Sequence, residues 1–269
     1  MCQECGCGLG VAGATSGHHG TRDVVADHSR AHAHGQDHVH DHGSEIVPGG
    51  TRVLQVQQAL LDRNQRQAER NRGFIRAKGV LVLNVVSAPG SGKTELIGKT
   101  AERLGKRLRI GAIVGDLETD NDARRLRAFG VPVVPISTGT LCHLEAEMVA
   151  KAMDALDLDA IDVLFVENVG NLVCPAAYDL GEHLRVVLLS VAEGEDKPLK
   201  YPPLFHSAQV ALLTKTDLAP VLGFDRAAAL ANLNRVAHHA RVLEVSSRTG
   251  DGMEEWTRLL LEQVEAVRR

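Results

Sequence analysis

Aromatic residues are scarce in this chain of 269 residues, since Phe, Trp and Tyr together account for only 3% of it. That scarcity disfavours a core organised around Trp and Tyr, as in many β-sandwiches. Hydrophobic residues nevertheless make up 44% of the chain, so the core must consist of Val, Leu, Ile and Ala side chains. Such a composition favours a sheet of buried aliphatic strands.

Long hydrophobic runs are also missing. No stretch of about eighteen apolar residues, the length needed to span a bilayer, occurs anywhere. The N-terminus likewise has no basic segment followed by an apolar one, which is the pattern of a secretory signal. We therefore expect a soluble, cytoplasmic protein that does not act at a membrane.

The sequence has no excess of basic residues. It contains 30 Lys and Arg against 34 Asp and Glu, for a net charge of −4. Six of the acidic and two of the basic residues precede residue 51, so the rest of the chain is balanced in charge. This balance argues against a nucleic-acid partner.

Cysteines number only five, and three of them, Cys2, Cys5 and Cys7, lie close together. An odd and clustered set indicates thiols rather than a disulfide framework. The C-x-x-C spacing brings two sulfurs within reach of one ion, and Gly6 allows Cys7 to turn inward. A free N-terminal amine would complete a square-planar set that suits Ni²⁺. The cluster therefore predicts a metal site.

Histidines are concentrated in the same part of the chain, where Gly and Asp are also frequent. Eight of them fall between residues 18 and 42: His18, His19, His28, His32, His34, His38, His40 and His42. Imidazoles on a flexible chain bind Ni²⁺, Zn²⁺ and Cu²⁺ with little geometric demand. Residues 1–50 are thus predicted to be a disordered metal-binding tail that buffers several ions. The alternative is a polar tail without a role in metal binding.

Residues 51–269 are predicted to form one α/β domain that begins with a polar helix over residues 51–78. Seven aliphatic runs follow: Val80–Val86, Ile110–Val114, Val131–Ile136, Ile161–Val166, Val186–Val191, Val210–Leu213 and Val242–Val245. Helices are predicted between several of them: Thr94–Leu104, Asp122–Phe129, Leu141–Leu156, Asp225–His238 and Met253–Val267. This alternation predicts a mostly parallel sheet with helices on both faces.

A phosphate-binding loop follows the first predicted strand. The residues expected to contact phosphate are Pro89, Gly90, Ser91, Gly92, Lys93 and Thr94. Small residues let backbone N–H groups surround phosphate oxygens, while the lysine reaches the terminal phosphates and the threonine hydroxyl binds Mg²⁺. Ser87 replaces the first Gly of the usual pattern at a position that forms a turn. The strand, loop and helix together predict a nucleotide-binding site.

Guanine recognition is predicted from a second motif, Thr214 to Asp217, at the end of the sixth run. A carboxylate at Asp217 would accept two hydrogen bonds from the guanine edge, which adenine cannot donate. Lys215 would stack on the base, and Ser246 and Ser247 lie where GTPases place another base-contacting loop. Thr214 stands where Asn is usual. These features favour GTP over ATP.

Two acidic segments lie between these motifs. Asp116 follows the second run, and Asp120 comes soon after it. Glu167 to Gly170 ends the fourth run and resembles the D-x-x-G switch, with Glu in place of Asp. We expect Asp116 and Glu167 to hold Mg²⁺ with Thr94, and the Gly170 N–H to contact the γ-phosphate.

A second group of soft ligands lies inside the domain. Cys142 and His143 are expected to open a helix, and Cys174 follows the segment that ends at Gly170. Three ligands leave a tetrahedral ion incomplete, so the fourth would be water or the same patch of a second subunit. The other interpretation treats the cysteines as small buried hydrophobic residues.

Several long segments resemble the HypB family of GTPases, which take part in inserting nickel into [NiFe]-hydrogenase. They are residues 1–7, 87–94, 138–145, 167–175 and 193–202. The resemblance implies a SIMIBI-type P-loop fold and slow hydrolysis of GTP to GDP. It also implies a homodimer that depends on nucleotide and metal.

The same resemblance implies a tight nickel site at Cys2, Cys5 and Cys7, and a Ni²⁺ or Zn²⁺ site at Cys142, His143 and Cys174. The implied partners are a small nickel- and zinc-binding maturation protein and the hydrogenase large subunit. Two other functions remain open: a nickel storage protein, and an accessory GTPase of urease. The latter relatives typically lack the N-terminal cysteines and carry Cys-Pro-His, whereas here Pro175 is followed by Ala176.

Overall fold

The computed structural model of the protein describes the backbone of residues 48–269 and the side chains from residue 55 onward. The predicted thiol site at Cys2, Cys5 and Cys7 and the histidine tract lie outside the described residues. Their assignment to metal binding therefore stays a prediction.

The described chain alternates between helices and strands. The helices are α1 (Pro48–Lys78), α2 (Lys93–Leu104), α3 (Asn121–Ala128), α4 (Ala146–Asp154), α5 (Lys197–Lys200), α6 (Pro202–Ser207), α7 (Ala219–Leu222), α8 (Arg226–Ala237) and α9 (Met253–Val267). The strands are β1 (Leu81–Ser87), β2 (Ile110–Asp116), β3 (Val133–Ser137), β4 (Val163–Glu167), β5 (Leu184–Ser190), β6 (Val210–Thr214) and β7 (Arg241–Val245).

All seven strands form one parallel sheet in the order β3-β2-β4-β1-β5-β6-β7. The central strands are buried along their whole length because helices cover both faces, which explains their continuous aliphatic runs. In a parallel sheet the carboxyl ends of all strands meet at one edge, where ligands of open α/β folds bind. The loops after β1, β2, β4 and β6 therefore meet at that edge.

The sheet separates the core into two layers. On one face α2, α3 and α9 pack over the centre of the sheet, with Trp256 of α9 fully buried. The other face carries two clusters, one under α1 and α4 and one under α6 and α8. Polar side chains, among them Asn84, lie on β1 between those two clusters, and Asn84 is 0% exposed. A fully buried amide on a central strand must have hydrogen-bond partners. The side chain of Asn84 donates to Glu182 and accepts from Asn168.

The predicted α/β architecture is confirmed, and each of the seven aliphatic runs contains most of one strand. Two helix starts differ from the prediction by more than one residue: α1 begins at Pro48, within the segment assigned to the tail, and α4 begins at Ala146 instead of Leu141. Cys142 and His143 therefore lie in the loop before α4. The short helices α5, α6 and α7 were not predicted, since four to six residues show too little periodicity.

None of the helices in the described part of the chain is both long and apolar enough to cross a membrane. The longest of them, α1, is strongly polar.

Candidate nucleotide and metal sites

The phosphate loop connects β1 to α2 at the carboxyl edge of the sheet. Gly92 ends the loop with φ +100°, a left-handed conformation that side chains disfavour, and α2 begins at the next residue. The first turn of α2 therefore directs its free N–H groups into the loop. Thr214 and Lys215 hold the loop from β6, since their side chains donate to the carbonyls of Ser91 and Gly90 at 2.9 and 2.6 Å.

Lys93 lies beneath this loop and is only 7% exposed. Its Nζ donates to Oγ of Ser87 at 3.2 Å, so the serine that replaces the usual glycine contacts the loop lysine. Burial lowers the pKa of Lys93, and the negative charges of Glu167 and other nearby carboxylates partly offset that effect. A phosphate anion would complete the charge balance of this ammonium group.

Thr94 and Glu167 meet opposite the lysine. Oγ1 of Thr94 donates to Oε1 of Glu167 at 2.8 Å, while Oε2 of Glu167 is buried and has no hydrogen-bond partner within the described structure. Burial raises the pKa of Glu167 to about 7, and the positive charge of Lys93 opposes this rise. A hydroxyl beside a buried carboxylate with an unused oxygen is a donor set that fits Mg²⁺.

Asp116 ends β2 at the same edge of the sheet. Burial alone would raise its pKa, but the N–H groups of Thr119 and Glu118 donate to Oδ1 at 2.8 and 3.0 Å and lower it. Asp116 is therefore held as a carboxylate. Asp120 lies further away, at the start of α3, in an exposed ion pair with Arg124.

The candidate base site is a cavity of about 270 Å³ beside the phosphate loop. It is lined by Ser91, Gly92, Glu95, Thr214, Lys215, Asp217, Leu218, Ser247 and Arg248. Asp217 and Ser246 come together as predicted, with Oγ of Ser246 donating to Oδ1 of Asp217 at 2.6 Å. Lys215 has φ +59°, the only positive value among the non-glycine residues described. This strain at a ligand-lining residue is typical of functional sites.

Gly170 lies against the phosphate loop from the side of β4. A Cβ atom there would come within 2.9 Å of Cα of Pro89, so a larger residue would displace the loop. Its backbone can therefore approach the place where a terminal phosphate would bind.

Cys142, His143 and Cys174 converge at the same edge of the sheet. Their ligand atoms all lie within 4.8 Å of one another, and the two Sγ atoms are 3.0 Å apart. His143 is 6% exposed, whereas both cysteines are partly exposed. Two thiolates and an imidazole are ligands that Ni²⁺ and Zn²⁺ accept. The structure thus brings these three predicted residues together.

Residues that the sequence analysis did not single out support this cluster. The ring of Tyr178 stacks on His143 with centroids 3.8 Å apart. Arg185, which is 7% exposed, donates to the carbonyls of Ala176 and Tyr178 at 3.2 and 2.8 Å. It also pairs with the buried Glu182. These contacts fix the loop that follows Cys174.

Glu193 makes a similar connection at the phosphate loop. Its Oε1 accepts a hydrogen bond from Oγ of Ser91 at 2.5 Å, and its Oε2 is buried without a hydrogen-bond partner in the described structure. The segment that contains Glu193, residues 193–202, was singled out only through the family resemblance. No local pattern indicated that this residue reaches a loop about a hundred positions earlier in the chain.

Comparison with known proteins agrees with this geometry. The family model for the CobW/HypB/UreG nucleotide-binding domain matches residues 81–244. Hydrogenase maturation factor HypB of Azotobacter vinelandii is 53% identical over 206 residues, which cover 77% of this chain and 68% of that protein.

Two solved structures are also similar. A crystal structure of HypB from Helicobacter pylori in complex with nickel is 37% identical with a TM-score of 0.73, covering 77% of this chain and 97% of that one. HypB from Archaeoglobus fulgidus is 40% identical with a TM-score of 0.71, covering 76% and 99%.

A parallel sheet whose first strand leads into a phosphate loop, with a carboxylate at the end of the neighbouring β4, defines a P-loop nucleotide-binding protein of the CobW/HypB/UreG class. Within that class, the identities and the matched structures identify the particular family. The chain belongs to the HypB family of hydrogenase maturation factors.

Proposed function

We propose that this protein is a cytoplasmic GTPase that binds Ni²⁺ and delivers it to the precursor of the [NiFe]-hydrogenase large subunit. The observation that carries the proposal is the position of the Cys142, His143 and Cys174 cluster, which is joined to the phosphate site by the eight residues Glu167–Cys174. Membership of the HypB family supports the client, and the nickel-bound relative supports the metal.

The phosphate site supports nucleotide hydrolysis in this proposal. Lys93 balances the charge of the β- and γ-phosphates, and the N-terminus of α2 binds the same oxygens. Gly170 places its N–H near the γ-phosphate. Asp217 accepts from the guanine edge, with Ser246 holding its carboxylate in place. We expect slow turnover of GTP to GDP and phosphate.

Thr94, Glu167 and Asp116 are the residues that would hold Mg²⁺. The free Oε2 of Glu167 and the fixed carboxylate of Asp116 support this role. When bound, Mg²⁺ would supply positive charge that neutralises the charge developing on the phosphates during hydrolysis.

Nickel is the cargo rather than a resident cofactor. In this proposal Cys142 and Cys174 bind it as thiolates and His143 binds it through an imidazole nitrogen, with Zn²⁺ as the competing ion. A homodimer would bring a second set of the same ligands. The small nickel- and zinc-binding maturation protein is a proposed partner in this delivery. Cys2, Cys5 and Cys7 are proposed as a separate, tighter nickel site.

Replacing the loop lysine tests the nucleotide part of the proposal. We expect Lys93→Ala to abolish measurable GTP hydrolysis, because removal of the ammonium leaves the terminal phosphate charge unbalanced. Lys99→Ala is the matched control, since Lys99 lies on the same helix and pairs with Glu102 at the surface. Hydrolysis is measured as phosphate release. Normal turnover by Lys93→Ala would show that the loop assignment is wrong.

Nickel transfer to an apo acceptor tests the coupling. We expect different transfer rates with GTP, with GDP and with a non-hydrolysable GTP analogue. GTP and its analogue carry a γ-phosphate that would contact Gly170, whereas GDP does not. Equal rates in all three conditions would contradict a hydrolysis-gated delivery.

Storage of nickel is the second candidate function, and the eight histidines of residues 18–42 favour it. Deleting residues 8–50 would then abolish the cellular role at limiting nickel. Unchanged hydrogenase maturation in that deletion would exclude storage as the main function. The urease alternative is tested by comparing growth of a knockout on urea and on hydrogen.

A further inference from the structure

One short stretch of chain joins the two candidate sites. We call residues 167–174 the connecting segment: Glu167 at its start lies in the phosphate site, and Cys174 at its end lies in the metal cluster. Between them Gly170 lies so close to the phosphate loop that an added Cβ would come within 2.9 Å of Cα of Pro89. A displacement of the loop at Pro89 would therefore act on the backbone that leads to Cys174.

Two asparagine side chains connect this segment to the loop that carries the other ligands. Oδ1 of Asn168 accepts a hydrogen bond from the N–H of Leu144 at 3.2 Å, and Nδ2 of Asn171 donates to the carbonyl of Cys142 at 3.3 Å. Leu144 and Cys142 flank His143 in the chain. The two amides thus hold the ligand pair Cys142 and His143 from both sides.

The two asparagines differ in how firmly they are fixed. Asn168 is 1% exposed, and it is anchored to β1 because its N–H donates to the carbonyl of Val85 at 3.0 Å and its Nδ2 donates to Asn84 at 3.2 Å. Asn171 lies beyond Gly170, and within the described residues its side chain makes no hydrogen bond to the sheet. Its Oδ1 accepts from the N–H of Val173, within the connecting segment, at 2.8 Å. Asn168 is therefore tied to the sheet, whereas the hydrogen bonds of Asn171 tie it to the connecting segment and to Cys142.

We propose that Asn168 and Asn171 are positioning residues that transmit the nucleotide state to the metal site. The inference rests on the proposed function. When Gly170 shifts, Asn171 moves the carbonyl of Cys142 together with Cys174, while Asn168 keeps the Leu144 side of the loop against β1. The ligand geometry of Cys142 and His143 then differs between nucleotide states, which gives nickel a different affinity for each.

The coupling can be measured from the nucleotide side. Coupling between two binding sites is reciprocal. If the GTP analogue and GDP give the protein different affinities for nickel, nickel must change the ratio of its affinities for the two nucleotides by the same factor. We would titrate the full-length protein with fluorescent forms of the GTP analogue and of GDP, with and without Ni²⁺. Nucleotide affinity is the preferred readout because a direct measurement of bound nickel would also include ions bound elsewhere on the chain. The ratio of the nickel effects on the two affinities is the coupling factor, expected to be on the order of 5- to 150-fold in the wild type.

Two test variants and two controls show what the coupling factor depends on. Cys142→Ala/Cys174→Ala should reduce it to 1, which assigns the effect to the internal cluster. Asn171→Ala and Asn168→Ala should each bring it within about twofold of 1, well below the usual coupling range. Asn64→Ala is the matched control, because Asn64 is a buried amide that binds Ala146 and Asp179 at 2.8 Å each, near both ligand loops but outside the connecting segment.

Asn64→Ala should keep the wild-type coupling factor even where its thermal stability falls. An equal loss of coupling in Asn64→Ala and Asn168→Ala would mean that general loosening causes the effect, and it would overturn the proposal. If Asn168→Ala does not fold, as judged by circular dichroism, the partly exposed Asn171→Ala decides. Full coupling in the folded asparagine variants overturns this proposal alone, whereas a wild-type factor of 1 overturns nucleotide-gated delivery as well.

Discussion

Glu167 is a buried acidic residue whose surroundings favour the binding of a cation. It is 3% exposed, and burial raises its pKa to about 7. Its Oε1 accepts a hydrogen bond from the hydroxyl of Thr94, and its Oε2 has no hydrogen-bond partner among the described residues. A carboxyl in this state destabilises the ligand-free fold when it is charged, and a cation would remove that penalty. The destabilisation that the charged Glu167 causes in the ligand-free protein is thus compatible with a role in binding a cation.

The raised pKa of Glu167 predicts a pH dependence of stability. Between pH 4.5 and about 7 the folded state binds more protons at this residue than the unfolded chain, so its contribution to stability falls as pH rises. The difference amounts to roughly 3 kcal/mol at most, at about 1.4 kcal/mol for each pH unit. Glu167→Gln does not titrate at this position, so its stability should lack this pH dependence. The variant should therefore be more stable than the wild type at pH 8.

Urea unfolding of both proteins at pH 5.5 and pH 8, without nucleotide or Mg²⁺, measures this effect. The stability difference between variant and wild type should grow with pH. A difference that is independent of pH would mean that Glu167 titrates as it does in the unfolded chain.

Asp217 gives a prediction of nucleotide selectivity. Guanine presents an amino group at its 2-position, which a carboxylate accepts, whereas xanthine presents a carbonyl oxygen there. Asp217→Asn should therefore weaken GTP binding by about 1–3 kcal/mol and strengthen XTP binding. Competition against a fluorescent nucleotide measures both affinities. A misfolded variant would bind neither nucleotide, and unchanged preference for GTP would exclude Asp217 from base recognition.

Single residues were predictable from the sequence where the chemistry lies in contiguous motifs. Lys93 and Thr94 follow from the loop pattern alone. The roles of Asn168 and Asn171 were not predicted, and both residues lie in a segment noted only for its family resemblance. An asparagine in a sequence gives no indication of a hydrogen-bond partner 24 or 29 residues away. Only the fold brings such amides to their acceptors.

At the scale of elements, the strands were the easiest to predict, because burial on both faces leaves continuous aliphatic runs. The start of α4 was missed by five residues. Apolar Leu141 and Leu144 continue the helical pattern backward, yet Leu144 packs in the core while its N–H binds Asn168. A tertiary hydrogen bond, rather than local propensity, thus keeps the ligand loop out of the helix.

Helix α1 provides a prediction at this scale. Ile75 near its end is 1% exposed and belongs to the cluster under α4, whereas Val56 near its start is 56% exposed. Ile75→Ala should lower the free energy of unfolding by about 2–5 kcal/mol, because it leaves a cavity. Val56→Ala should change it by no more than about 0.5 kcal/mol. Urea denaturation compares the two, and equal effects would mean that α1 does not pack on the domain as described.

The whole molecule places a candidate nucleotide site and a candidate set of metal ligands at one edge of one sheet. This arrangement follows from topology, since β4 lies between β1 and β2 and ends in the connecting segment. The sequence analysis predicted the sheet and both sites but not the strand order, because pairing partners leave no trace in a single chain's composition. It also left the fourth metal ligand open, and the cluster described here contains three.

A second copy of the chain is the proposed source of that ligand. Cys142 and Cys174 are partly exposed, and the neighbouring Val173 is 52% exposed, so a two-fold partner could reach the cluster. Sedimentation should therefore show that Ni²⁺ strengthens dimerisation in the presence of a GTP analogue. Cys174→Ser should lose this metal effect, whereas a variant with serine at Cys2, Cys5 and Cys7 should keep it. A protein that binds nickel at the internal cluster yet remains monomeric would require water as the fourth ligand.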